Sequence, residues 1–186
     1  MSGDPQRTVI EVLAHDHREV EDLFRRLEEP GLAPEASRDL VERVTVELVR
    51  HAVAEEHWLY PAVREYVPDG SELADDETAE HGEMEVVLKA LEGMSPLDPE
   101  YRARVDDLIS DVRAHIAEEE QQLFPALAAA TTPEHLCELG ARVEQAKRNA
   151  PTHPHPAMPD TPPLNRVLDR GAGLIDRLRD ALVRRR

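Results

Sequence analysis

Two stretches of this chain, "HAVAEEHWLYPAV" at residues 51–63 and "HIAEEEQQLFPAL" at 115–127, place a histidine and a glutamate four residues apart on a helical stripe whose other members are apolar. Imidazole nitrogen with carboxylate oxygen is a donor set suited to iron, manganese or zinc. Sliding the chain against itself by 64 residues shows that the pairing is repeated. The shift lays His17 on His81, Glu21 on Glu85, His51 on His115, Glu55 on Glu119, Glu56 on Glu120 and Pro61 on Pro125, with no gap. It also lays Leu27 on Leu91, Val41 on Val105, Leu59 on Leu123 and Tyr60 on Phe124. A repeat of this kind predicts two related helix hairpins facing each other about a pseudo-twofold axis.

The repeat and helix geometry sort the histidines in the same way. His15 falls opposite Ala79 and His57 opposite Gln121, so neither has a histidine mate. At about 100° per residue, His17 lies within about 40° of Ile10, Leu13, Glu21 and Phe24, and His15 is about 160° away. On the second helix Val44, His51, Glu55, Trp58 and Ala62 share a stripe, which turns Glu56 and His57 toward solvent and sets Tyr60 about 180° from His51. The third helix groups Ala74, His81, Glu85 and Leu88, and the fourth Leu108, His115, Glu119 and Ala126. Each helix thus contributes one histidine and one glutamate. Four unpaired buried carboxylates would cost several kcal/mol each, so the pattern calls for a compensating cation, and the donors are too many for one ion. A dinuclear metal centre is the expectation. Both Glu55/Glu119 and Glu56/Glu120 obey the repeat, and the angular argument favours the first pair.

The elements that must position these residues are helical throughout. Asp4–Pro5 reads as an N-cap and first helical position for a helix to about Glu28. A second helix is expected over about 36–66, a third over about 72–93, and a fourth from the Asp98–Pro99 signal to about Ala130. Four long helices with short connections predict an all-α, antiparallel up-and-down four-helix bundle over residues 1–130. Residues 131–186 form a C-terminal extension. It comprises a short helix starting at Thr132–Pro133, a proline-rich linker, and a basic amphipathic helix over 164–186. Pro61 and Pro125 lack the amide that would bond four residues back, so each is expected to bend its helix just past the ligands. Trp58, Leu59, Phe24 and Leu123 are expected to fill the core around the site, and His153 and His155 in the linker to be incidental.

The formal charge of −17 over 186 residues, with a sequence pI near 4.9, weighs against nucleic acid as the partner. Residues 1–130 carry −20 and residues 164–186 carry +4, which makes the C-terminal helix a candidate for docking on the acidic bundle, a protein partner or a dimer mate. Cys137 is the only cysteine, which excludes an intramolecular disulfide. No apolar run approaches the roughly 20 residues that span a bilayer, and a soluble cytoplasmic protein is expected.

The segments "HDHREVEDLF", "HAVAEEHWLYP", "AEHGEMEVVL" and "HIAEEEQQLFP", one per helix, resemble the hemerythrin family, in particular its HHE cation-binding domains, over about residues 5–130. The resemblance implies two iron ions in an oxo- or hydroxo-bridged, non-haem di-iron centre, with His17, His51, His81 and His115 as ligands and Glu55 and Glu119 as bridges. It implies binding of, or reaction with, O2, peroxide or nitric oxide, with catalase-like turnover as one form. Oxygen-carrying hemerythrins have a second histidine four residues after the third-helix ligand, where this chain has Glu85. With Glu85 and its repeat mate Glu21 as direct ligands or as acceptors for the histidines, added negative charge favours ferric iron and redox chemistry over reversible carriage. An iron- or redox-dependent regulator acting through the C-terminal helix is the alternative.

Overall fold

The computed structural model describes residues 7–154. Its elements are α1 (Val9–Leu27), α2 (Pro34–Ala54), a π-helical turn (Glu55–Leu59), α3 (Tyr60–Tyr66), α4 (Gly70–Gly93), α5 (Tyr101–Glu118), a second π-helical turn (Glu119–Leu123), α6 (Phe124–Ala130) and α7 (Pro133–Asn149). Helix α2 runs through its π-turn into α3 without a break, and α5 runs likewise into α6. The result is four long rods and a fifth, shorter helix, and the fold is all-α as expected. The Asp4–Pro5 start, the basic segment 164–186 and His155 lie outside the described residues.

Local sequence accounts for the helix ends. Thr8 caps α1 in a reciprocal box: the Glu11 amide donates to Thr8 Oγ1 at 3.2 Å, and the Thr8 amide donates to Glu11 Oε2 at 2.8 Å. Residues 28–33 break the chain through Gly31, whose φ of 79° suits glycine. Asp98 makes a turn rather than a cap, accepting from the Glu100 amide at 2.9 Å, and α5 begins three residues later than Asp98. Thr132 caps α7 as its sequence predicts, with Pro133 in the first turn.

The apolar stripes meet in two layers. One is built from Val20, Leu23, Phe24, Leu27, Val41, Val44, Leu88, Leu91, Val105, Leu108 and Val112, the other from Val9, Leu13, Leu59, Val63, Ala74, Leu123 and Leu127 with neighbours from α7. Helix α7 packs on α1, α2 and the first π-turn. It comes so close to the start of α1 that a Cβ on Gly140 would lie 2.9 Å from the Thr8 carbonyl carbon. Between the two apolar layers lies a belt of buried histidines and carboxylates.

Both π-turns fall at equivalent places in the repeat, and each is followed within two residues by a proline, Pro61 or Pro125. A proline ring clashes with the carbonyl four residues back and offers that carbonyl no amide. The turn before each proline is widened: the Tyr60 amide bonds to the Glu55 carbonyl and the Phe124 amide to the Glu119 carbonyl, five residues back. The helices continue, but the phase of everything beyond Glu55 and Glu119 slips by roughly one residue, about 100°.

Candidate metal centre

Four Nε2 atoms and two carboxylates converge in the polar belt. His17 Nε2 lies 3.2 Å from His51 Nε2, and His81 Nε2 lies 3.3 Å from His115 Nε2. These are repeat-related pairs, one on each hairpin. Glu55 extends to both, with Oε1 3.0 Å from His51 Nε2 and Oε2 3.4 Å from His81 Nε2. Glu119 does the same through Oε2, at 3.2 Å from His17 Nε2 and 3.8 Å from His115 Nε2. Both glutamates are 0% exposed. Potential ligand atoms within 4.8 Å of one another form three groups: His17, His51, Glu55 and Glu119; Glu55, His81 and His115; and Glu77, His115 and Glu119. The groups overlap through the two glutamates and His115.

Each imidazole is held from behind by a carboxylate, which fixes its tautomer. His17 Nδ1 donates to Glu120 at 2.9 Å, and its mate His81 Nδ1 donates to Glu56 at 3.2 Å. His51 Nδ1 donates to Asp16 at 3.3 Å, and its mate His115 Nδ1 donates to Glu80 at 2.9 Å. Because an ionised carboxylate can only accept, each Nδ1 carries the proton and each Nε2 turns a lone pair to the centre. The inward oxygens are acceptors as well. Both oxygens of Glu55 and Oε2 of Glu119 are buried and accept no hydrogen bond. The short Nε2–carboxylate approaches are therefore lone pairs facing lone pairs. With neutral imidazoles that arrangement calls for a cation, and backing of each imidazole by a carboxylate is how metal-binding histidines are oriented.

Without a cation, protons are drawn in instead. Burial works against charge on His51, but the carboxylates of Glu55, Asp16 and Glu119 outweigh it and hold its pKa well above the usual histidine range. Burial is likewise overcome at His81 by Glu55 and Glu56, which raise it to about 10, and at His115, which is raised chiefly by Glu77 and Glu119. Glu119, despite the burial that would raise it, is pulled well below the carboxylate range by His17, His51 and His115. Burial raises Glu77.

Six of the eight residues expected at the site, His17, His51, Glu55, His81, His115 and Glu119, come together. Glu21 does not, which corrects the expectation from its stripe: its carboxylate forms a two-pronged bridge to Arg113, at 2.9 Å to Nε and 2.9 Å to Nη2, and is more than a third exposed. Arg113 has Val49 as its repeat mate, so the Glu21 bridge is not repeated at the equivalent position. Glu85 instead lines a cavity of about 20 Å³ beside the histidines, outside the three groups. That cavity is walled by Val20, Leu48, Leu88, Val112 and Ile116.

Several functional residues escaped sequence reasoning. Asp16 and Glu80 immediately precede His17 and His81 and obey the 64-residue shift; an acid before each first histidine of a hairpin was the available signal. Glu56, expected on the surface, is the carboxylate behind His81, and Glu120, set aside by the angular argument, is the one behind His17. Glu77 lies one turn before His81 on the same stripe, but its repeat mate is Leu13, so the repeat hides it. Tyr60, expected to face away, is buried with its hydroxyl 3.0 Å from His81 Nε2 and 3.4 Å from Glu119 Oε1. His57, also expected outside, is buried on the π-turn against which α7 packs. Both errors come from counting 100° per residue through a π-turn. Trp58 packs under Arg142 of α7, with the guanidinium 4.9 Å from its ring centroid, and Phe24 and Leu123 fill the apolar layers above and below. His153 pairs with Glu92 at 2.6 Å.

A helical bundle with a polar belt of carboxylate-backed histidines defines a metal-binding class of protein. Within it, residues 8–127 match the model of the Hemerythrin HHE cation binding domain, and the chain belongs to that family. It is 29% identical over 175 residues to an uncharacterized hemerythrin-like protein of Schizosaccharomyces pombe, covering 94% of this chain and 86% of that one. It is similar to the crystal structure of a Hemerythrin HHE cation binding domain-containing protein from Mycobacterium kansasii, with a TM-score of 0.65 and 27% identity, over 76% of this chain and 88% of that one. A DNA nickase of a Nostoc species is 32% identical over 128 residues; the match takes in 68% of this chain but only 35% of the nickase. No described helix is long and apolar enough to cross a membrane.

Proposed function

We propose that the belt holds two iron ions and that the protein binds or reacts with a small ligand: O2, nitric oxide or peroxide. The observation that carries the first half is the set of buried carboxylate oxygens without donors, facing two imidazoles from each hairpin, with two glutamates long enough to be shared. His17 and His51 would hold one ion, and His81 and His115 the other. Bound iron supplies the one-electron and O2 chemistry, and the chain supplies orientation and the surroundings. The cavity supports the second half. At about 20 Å³ it has room for a water-sized or diatomic guest, and its aliphatic walls suit O2 or nitric oxide better than a charged substrate.

The likeness to a DNA nickase spans about a third of that protein, and a formal charge of −17 gives phosphate little attraction here, which favours a small molecule. Metal analysis with a visible spectrum, followed by rapid mixing of reduced protein with O2 and of oxidised protein with peroxide, tests the reading. About two irons per chain and a spectral change on mixing are expected. Zinc alone, or iron that responds to none of these ligands, refutes it.

A second reading, redox- or iron-dependent regulation, draws support from one contact. Lys147 of α7 pairs with Asp16, which holds His51, so the extension is linked to the centre through a single buried carboxylate. Identical hydrogen-exchange protection of α7 with and without bound metal would sink it.

A further inference from the structure

The 64-residue repeat makes the two halves of the belt comparable residue by residue, and they are not alike. Both supply two Nε2 atoms, and they share Glu55 and Glu119. On the His81–His115 side stand a third buried carboxylate, Glu77, grouped with His115 and Glu119, and the Tyr60 hydroxyl. Their mates on the other side are Leu13 and Phe124, both buried, and the Phe124 ring stacks on His17 at 5.6 Å. The difference extends behind the imidazoles. His115 Nδ1 has two carboxylate oxygens at 2.9 Å, from Glu77 and Glu80. Among the described residues His51 Nδ1 has Asp16 alone, whose charge is balanced by Lys147.

We propose that the two metal positions are unequal by construction: the His81–His115 position takes the first ion and holds it more tightly, and the His17–His51 position fills second and exchanges more readily. The inference rests on the two-metal reading above. Its cause is electrostatic. The first position faces one more anion in a medium that screens poorly, and the second faces hydrocarbon and a neutralised acid. Loss of an outer carboxylate partner typically costs about 10- to 100-fold in metal affinity, and a gap of that size between the two steps is expected.

Titration of the metal-free full-length chain with Co2+, followed by its visible absorption and by calorimetry, reads the two steps directly. Two ions per chain in resolved steps are expected. His51→Ala should keep the tight step and lose the weak one, and His115→Ala should lose the tight one. Glu77→Leu, which installs the residue its mate has, should weaken the tight step toward the other; the isosteric Glu77→Gln gives the same result if leucine disturbs packing, with helicity by circular dichroism as the check on folding. Two equal sites, or loss of the tight step in His51→Ala and not in His115→Ala, would overturn the proposal while leaving the two-metal reading intact. A chain that takes up no metal, or one ion only, overturns both.

Discussion

The metal-free protein should lose stability as pH rises from neutral to alkaline, the reverse of what its many carboxylates suggest. In the folded state the Glu55 and Glu56 carboxylates raise His81 from 6.5 to about 10 against the opposing effect of burial. A raised histidine stabilises the fold fully below its unfolded pKa, and that stabilisation is lost as pH climbs through the folded value. The window is thus 6.5 to about 10. One pKa unit is worth about 1.4 kcal/mol, so His81 alone contributes at most about 5 kcal/mol, and the raised His51 and His115 act in the same direction. For a chain of this size, 5 kcal/mol is about 10 to 20 °C in Tm. Glu119, held low by its histidines, behaves oppositely: its stabilisation is present above the ordinary carboxylate pKa and is lost as pH falls. Thermal unfolding followed by circular dichroism at pH 6.5 and pH 9.5, with and without bound metal, checks this. The metal-free Tm should fall across that interval. With metal bound it should hold, because a cation on Nε2 replaces the proton and its affinity improves as imidazoles deprotonate. A metal-free protein equally stable at both pH values would refute the claim that the inward lone pairs are acceptors awaiting a cation.

Glu21→Ala should leave metal content unchanged and cost no more than about 1 kcal/mol in denaturant unfolding, since it removes a surface bridge to Arg113. By contrast, Glu56→Gln or Glu120→Gln should weaken metal binding by about 10- to 100-fold in chelator competition. Lys147→Met leaves Asp16, which is 4% exposed, with His51 as its remaining partner and should cost about 1–3 kcal/mol in urea unfolding, with Asp16→Asn in the same chain recovering part of it. Gly140→Ala should loosen α7 from the start of α1, costing about 1–3 kcal/mol and raising amide exchange in α7 ahead of the other helices.

The fold was legible because its evidence is periodic: apolar stripes, a capping threonine before α7 and a 64-residue shift are additive signals that no single residue can spoil. The convergent histidines were legible for the same reason, since duplication printed each one twice. What stayed hidden was local or singular. A π-turn leaves no mark in an angular projection, so Tyr60 and His57 fell on the wrong side, although the two prolines that call for it are plain in the sequence. Glu77 has no glutamate mate and was lost to a filter that demanded one. Glu21 passed that filter, and its true direction depended on Arg113, 92 residues away on another helix.

Had the two hairpins been separate copies of one short chain, pairing about a true twofold axis, every substitution near one metal ion would have appeared at the other. Joined in a single chain, they can drift apart one residue at a time. Glutamate can stand at 77 while leucine stays at 13, tyrosine at 60 while phenylalanine stays at 124, and α7 can settle on the first hairpin with no counterpart on the second among the described residues. A single chain is what lets a near-symmetric cage have a left and a right hand.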